Sequence, residues 1–330
     1  MECANFKVRL RLWPKSFAEA EWMEVLPEDY LAYLKFYQLS VKKDQSGIAK
    51  VRAGWIIHNK ERIWTQAFQP FKCHPLKDSQ QAQGILIHLH GYYDHGASYP
   101  SLQRWALKNN LYYLTVDLPG HGLSSGERAS INSFADYQLV LSSLVNLLEA
   151  ENFPRPWLLS GFSTGGAVAL EHQLTEPHFD HLLLFAPLIR PVAWQPKLVS
   201  WLWLPHLLVK NLPRKFTANS NDIEYLNFAK KQDCLQSRQL PLAWIIALGR
   251  WIKIIENTKP SSAKALIIQG DNDSTVDWQY NLPVLNRLLP QAVTCIIKGG
   301  GHQLLNDGQL QRSQVLQCLD QWLIEINKKE

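Results

Sequence analysis

This sequence has little of what marks a nucleic-acid binder, a membrane protein or a disulfide-knit extracellular domain. Only 19% of its 330 residues are charged, and 34 Lys and Arg nearly balance 29 Asp and Glu, leaving a net charge of +5. No run of like charge occurs, and a nucleic-acid binder needs a concentrated basic patch, so that class is excluded. No stretch approaches the ~18 apolar residues that can span a bilayer. The N-terminal MECANFKVRLRL lacks the uninterrupted apolar segment of a secretory leader. Cysteine is scarce: Cys3, Cys73, Cys234, Cys295 and Cys318 are odd in number and far apart, with no C-x-x-C pair. That spacing argues against a zinc or redox site and predicts free thiols in a reducing, cytoplasmic compartment. Internal repeats and low-complexity tracts are missing as well.

Apolar residues, by contrast, are plentiful. At 46% hydrophobic content the chain can bury a sizeable core, which excludes global disorder. Tryptophan stands out, with 13 against only 2 Met. Five of these, Trp194, Trp201, Trp203, Trp244 and Trp251, fall in one segment.

Residues 1–45 read as irregular, apart from a short helix around residues 30–38. Residues 49–58 and 62–69 read as an antiparallel hairpin at a sheet edge, and 70–83 as a polar connection. Short apolar runs then alternate with helix-length stretches. The runs are 84–90 (GILIHLH), 111–117 (LYYLTVD), 157–160 (WLLS), 181–186 (HLLLFA), 265–269 (ALIIQ) and 293–297 (VTCII). Near-continuous apolar runs suit strands buried on both faces of a parallel sheet. The helices between them include 133–150, 165–175 and 311–327. This alternation predicts an α/β fold with right-handed crossovers. It breaks at 188–256, a stretch rich in Trp, Leu and Pro with no obvious strand, including the apolar but Pro-interrupted 198–209. That stretch reads as a helical cap inserted between core parts 1–187 and 257–330, with 84–187 carrying the motifs.

GFSTGG at 161–166 lies between a strand and a helix, which is the setting a G-x-S-x-G nucleophile requires. Side chains at Gly161 and Gly165 would clash in so tight a turn, which exposes the Ser163 hydroxyl above the sheet. The same residues would serve a plain helix N-cap, and the flanking strand and helix favour the nucleophile. A serine needs a base and an orienting acid. GDNDSTVD (270–277) and GGGH (299–302) each follow a predicted strand, so an Asp and His302 stand at strand ends after Ser163. Asp271, Asp273 and Asp277 share one loop. Asp271 reads as a turn former, and Asp277 as a cap on a helix starting near Trp278. His90 and Asp117 read as shaping their loops. His121 is a competing base in the wrong chain position.

Together HLHGYYDH, DLPGHGLSSG, GFSTGG, GDNDSTVD and GGGH resemble the α/β-hydrolase superfamily. More narrowly they resemble its lysophospholipase and monoacylglycerol lipase branch, grouped with serine aminopeptidase-like hydrolases. The resemblance covers about 84–187 and 260–325. It implies an α/β-hydrolase fold, a mostly parallel sheet with helices on both faces, and a helical cap insertion. It also implies Ser163 as nucleophile, Asp273 as acid (three places after Gly270), His302 as base, and the Tyr92 and Thr164 N–H groups as oxyanion hole. The chain departs from the family in its long lead-in, 1–83, and in the bulky Tyr92-Tyr93 pair.

The expected chemistry is ester hydrolysis through an acyl-enzyme on Ser163, with no metal or organic cofactor. The Trp-rich cap points to a small-molecule ester with an apolar acyl chain, of lysophospholipid or monoacylglycerol type. Peripheral membrane contact through the cap is compatible with it. Aminopeptidase, acyltransferase and non-catalytic binding protein are the alternatives. A peptidase would use cap acids such as Asp222, Glu224, Asp233 or Glu256 to hold an amino terminus.

Overall fold

In a computed structural model of the chain, the described residues are 2–13, 15–39, 50–58, 61–70, 82–196 and 209–328. A sheet of eight strands runs through the molecule: β1 (Val51–His58), β2 (Glu61–Phe68), β3 (Ile85–Leu89), β4 (Tyr112–Val116), β5 (Trp157–Phe162), β6 (His181–Phe185), β9 (Ala265–Gly270) and β10 (Val293–Ile297). Their spatial order is β1-β2-β4-β3-β5-β6-β9-β10. β2 pairs antiparallel with both neighbours, and the other pairs are parallel. The chain therefore enters mid-sheet at β3, steps outward to β4, and returns past β3 to β5. Such a reversal opens a crevice at the strands' carboxyl ends, where α/β sheets hold their sites.

The two-residue period of the strands divides the interior into two cores. Ile85, Ile87 and Leu89 enter the core packed by α4 (Ala135–Ala150) and α5 (Thr164–Thr175). Leu86 faces the opposite core, with α3 (Pro100–Lys108) and α9 (Gln309–Asn327). β6 repeats the pattern, with Leu182 and Leu184 on one side and Leu183 and Phe185 on the other. Both faces bury apolar side chains, which is why β3, β5 and β6 read as unbroken apolar runs. β10 departs from that expectation: it is an edge strand, and Val293 and Ile296 are exposed.

Three other expectations need correcting. Residues 1–45 are not irregular before residue 30, because α1 (Glu2–Arg11) precedes α2 (Glu28–Phe36). α1 buries Phe6 and Leu10, a stripe too narrow to show as helical periodicity. Phe6 meets Tyr33, Phe36 and Tyr37 edge-on, so α1 and α2 join through rings. Secondly, the stretch between β6 and β9 contains strands. β7 (Asn211–Pro213) and β8 (Gln239–Pro241) form an antiparallel ribbon. Each has three residues and ends in proline, too short to leave an alternating pattern. α6 (Ile223–Lys231) and α7 (Leu242–Ile255) complete this stretch. Residues 198–208, with Trp201 and Trp203, and most of the polar connection, 71–81, lie outside the described residues. Thirdly, the cysteines are not all free thiols: Cys295 on β10 and Cys318 on α9 are joined as a disulfide. The two come together only because α9 folds back along β10, a proximity that linear spacing does not reveal, and the pairing removes the thiol argument for a cytoplasmic location. Among the described residues, no helix is long and apolar enough to cross a membrane.

α7 is anchored by its apolar face. Trp244, Ala247, Leu248, Trp251, Ile252 and Ile255 enter the α4/α5 core. The Trp251 ring stacks on Phe134 at 4.9 Å, and its N–H donates to Glu171.

Candidate active site

The turn after β5 is made by contacts that admit no side chain. A Cβ on Gly161 would stand 2.2 Å from the Gly165 carbonyl oxygen, and one on Gly165 would stand 2.2 Å from the Leu89 oxygen. The backbone can thus reverse into α5 within three residues. Ser163 sits at the apex with φ 51° and ψ −111°, a left-handed conformation that costs a non-glycine residue about 1–3 kcal/mol. Its N–H donates to Phe185 O at 2.9 Å, and its carbonyl accepts from Ala167 and Leu188, so the strained residue is held on three sides.

Two further strand ends bring partners to that apex. After β10, a glycine-rich loop carries His302, whose Nε2 lies 3.0 Å from Ser163 Oγ. After β9, Asp273 places Oδ2 2.8 Å from His302 Nδ1. Ionised Asp273 only accepts, so Nδ1 carries the ring proton and Nε2 is left to accept from the serine hydroxyl. Asp273 is itself fixed: Oδ1 accepts from the Thr275 and Val276 N–H groups at 2.8 and 3.1 Å, and Oδ2 also accepts from Gln269 Nε2. Burial alone raises its pKa, but His302 and these N–H donors outweigh burial and hold the carboxyl below its ordinary value. Ser163, Asp273 and His302 are 6, 7 and 3% exposed.

The other acids of the loop do other work. Asp271 Oδ1 accepts from Gly299 N at 2.6 Å, tying the aspartate loop to the histidine loop. Asp277 caps α8 (Trp278–Leu288) by accepting from Tyr280 N. His90 is engaged at both ring nitrogens, by Gly91 O and the Leu118 N–H. Asp117 accepts from Gly96 and Leu123 N–H groups and braces two loops. His121 packs under the Tyr92 ring, and burial lowers its pKa to about 4.

Tyr92 follows β3, and Thr164 opens α5 just after the neighbouring strand β5. Among the described residues no hydrogen bond engages either N–H, and both residues line the same cavity as Ser163. The Tyr92 side chain turns away, donating to Ala129 O and stacking on Trp244 at 3.8 Å.

Above these residues lies a cavity of about 610 Å³ that contains Ser163, Thr164 and His302 on its wall. Its lining is mixed, with apolar Leu188, Trp194, Leu240, Trp244, Ile245 and Leu248 and polar Tyr93, Asp94, Arg214, Lys215 and Gln303. Sequence reasoning missed Gln269, which holds the acid, and gave no role to Asp94, Arg214, Lys215 or Gln303. Asp94 lay within the quoted HLHGYYDH, whereas Arg214 is a lone arginine with no local pattern. The four acids set aside for binding an amino terminus are absent from the cavity's walls. Asp222 caps α6, Asp233 pairs with His95, and Glu256 pairs with Arg190.

A nucleophile elbow between β5 and α5, an acid after β9 and a histidine after β10, on this strand order, define an α/β-hydrolase. A sequence model of the family described as serine aminopeptidase, S33, matches residues 80–309, and the chain belongs to that family. It is 28% identical over 241 residues to human monoglyceride lipase, covering 71% of this chain and 80% of that protein. With rat monoglyceride lipase it shares 29% identity over 118 residues, 36% of this chain and 39% of that relative's length. Among solved structures, a soluble variant of monoglyceride lipase from Saccharomyces cerevisiae, in complex with a substrate analog, superposes with a TM-score of 0.69. That match has 14% identity and covers 86% of this chain and 97% of the other, a likeness of fold.

Proposed function

We propose that this protein is a serine hydrolase that cleaves carboxylic esters of lipid-like substrates through an acyl-enzyme on Ser163. The observation that carries the reading is the unbroken relay Ser163–His302–Asp273, at 3.0 and 2.8 Å, opening onto a cavity lined largely by apolar side chains. Ser163 Oγ attacks the ester carbonyl as its proton passes to His302 Nε2. Asp273 keeps the imidazole in its Nδ1–H tautomer and stabilises the cation that forms. The Tyr92 and Thr164 N–H groups take the oxyanion, a contribution of about 10²–10³-fold in turnover. His302 returns the proton to the leaving alcohol, and water repeats the sequence on the acyl-enzyme.

In this reading residues 188–256 are a cap inserted between core parts 1–187 and 257–330. Its α7 and Trp194 contribute to the cavity's apolar lining. Exposed Val209, Leu212 and Ile223 on the same segment, Ile223 at the cavity wall, support contact with a lipid surface. A peptidase reading lacks support, since none of the proposed cap acids reaches the cavity. The name of the human relative, monoglyceride lipase, agrees with an acyl-ester substrate.

The test is covalent. A fluorophosphonate probe should label wild-type protein at Ser163 and leave Ser163→Ala unlabelled. Hydrolysis of p-nitrophenyl esters should disappear in the same variant and rise with acyl length in the wild type. Equal rates on acetate and longer esters would count against a lipid-like substrate, and unchanged hydrolysis in Ser163→Ala against the nucleophile.

A further inference from the structure

We infer that Arg214 makes the leaving-group side of the cavity a receptor for an anion, so that the preferred ester carries a phosphate or carboxylate on its alcohol portion. This rests on the reading of Ser163 as the acylated residue. Arg214 extends the β7/β8 ribbon, its N–H donating to Arg238 O, so its backbone is fixed. Its guanidinium lies between two rings, 3.9 Å from the centroid of Tyr93 and 4.1 Å from that of Phe216. Tyr93 directly follows Tyr92, whose N–H is assigned to the oxyanion hole, which ties this cation to the reacting end of the cavity.

The charge has no carboxylate on it. Among the described residues Arg214 makes no ion pair, and its hydrogen bonds run from Nη1 alone, to Gln236 Oε1 at 2.7 Å and Ser237 O at 3.2 Å. Among the described residues Nε and Nη2, one edge of the planar fork, make no hydrogen bond, and Arg214 lines the cavity. Asp94 is the one acid lining this cavity among the described residues, and it is held off. Gln236 stands between the two charges, accepting from Arg214 and donating to Asp94 Oδ1 at 3.3 Å. Asp94 Oδ2 is occupied by Tyr99 and Gln303. Asp94 and Arg214 therefore attract each other through space, without a direct hydrogen bond between them.

Lys215 and Lys230 line the same cavity, so three cations face one screened acid. A half-buried guanidinium kept from its nearest carboxylate is costly unless a ligand supplies the anion. Its open edge has the geometry that binds phosphate or carboxylate through two parallel N–H donors. In this inference the acyl chain lies on the apolar lining that includes Trp244, and the alcohol portion reaches Arg214 beside Tyr93.

The test compares three esters of one six-carbon acyl chain, all monomeric in solution: hexanoylglycerol, hexanoylglycerol 3-phosphate and hexanoyl lactate. The readout is the ratio of kcat/KM for each anionic ester to that for the neutral one, within a single enzyme variant. General losses from misfolding or a slower chemical step divide out of that ratio. The wild type should favour at least one anionic ester by about 10- to 100-fold, mainly in KM, as expected for charge-assisted hydrogen bonds. Which anionic ester leads distinguishes a phosphate from a carboxylate ligand. Arg214→Gln should bring the ratio near one, and Arg214→Lys, which keeps the charge without the fork, should retain part of it. A wild-type ratio of one or less overturns the inference, as does a ratio unmoved by Arg214→Gln. Fluorophosphonate labelling of Ser163 in each variant separates that failure from failure of the hydrolase reading.

Discussion

Among the described residues two carboxylate–imidazole pairs are buried, and their difference lies in what faces the rest of each pair. Asp273 and His302 meet at 2.8 Å, and the far nitrogen of His302 looks onto a strained serine at the foot of a cavity. Asp233 and His95 meet at 3.1 Å, with both side chains buried. There the second ring nitrogen accepts from the Ala97 N–H, and Tyr37 OH and the Leu235 N–H occupy the other carboxylate oxygen. Every open position is filled by the protein itself. The pair ties the residue after α2, the loop after β3 and the end of the α6 segment into one cluster. The same two groups that can move a proton in one place act as a rivet in the other. A carboxylate beside a histidine is therefore no sign of chemistry until a nucleophile and a space for substrate stand on its open side.

The sharpest way to break this contrast is to remove one member of each pair. Ser163→Ala should lower kcat/KM on p-nitrophenyl esters by about 10⁵–10⁶-fold, and Asp273→Asn by about 10⁴-fold through loss of the correct tautomer. Neither should move the urea midpoint by an amount comparable to Asp233→Asn. That substitution takes the carboxylate acceptor away from the buried His95, Tyr37 and Leu235 donors and should cost about 1–3 kcal/mol of stability in urea titrations. Folded Asp233→Asn protein should keep esterase activity within about tenfold. A collapse of activity with unchanged stability in Asp233→Asn would erase the distinction.

The two regions also differed in how far they could be read from residues alone. The Ser–Asp–His series stood out because each member ends a strand whose apolar run is visible, and because Gly161 and Gly165 mark contacts at 2.2 Å that tolerate no Cβ. The sheet was legible for the same reason, β10 included at residues 293–297, and only its one exposed face departed from the expectation of burial on both sides. Asp233 and His95 are 138 residues apart, and nothing in the local pattern of either predicts their meeting. Arg214 was equally silent, since its significance comes from Gln236 standing between it and Asp94. The ribbon β7/β8 and helix α1 were missed because three-residue strands and a two-residue apolar stripe carry too little periodicity. Long-range polar contacts and short elements are where sequence patterns hold least information.

A smaller effect sharpens the reading of the cavity. Trp244 stacks on Tyr92 and lines the cavity, so Trp244→Ala removes ring area that an acyl chain would otherwise cover. The ratio of kcat/KM for the dodecanoate to that for the acetate p-nitrophenyl ester should fall about tenfold, in line with 1–2 kcal/mol of lost apolar contact. A ratio that stays constant would mean that this ring packs the cap and nothing else.

The smallest expected effect concerns pH and returns to the closed pair. Burial raises the Asp233 carboxyl, but His95, Leu235 N–H and Tyr37 outweigh it and hold its pKa below the ordinary value. Burial lowers His95, but Asp233, with Asp117 and Asp94 beyond it, holds its pKa above the ordinary value. A depressed carboxyl stabilises the fold above about pH 3.9, the unfolded value, and loses that contribution as pH falls through its folded value. A raised imidazole stabilises the fold below about pH 6.5 and loses that contribution as pH rises through its folded value. The pair therefore contributes most between about pH 4 and 6.5. Asp94 and Asp117 are coupled to His95, so the difference between the two stability curves reads the pair together with these neighbours. The stability deficit of Asp233→Asn should be greatest inside that window and narrow as pH rises above it. A deficit that does not change from pH 5 to pH 9 would show that Asp233 acts through its neutral hydrogen bonds, with no help from a charged His95.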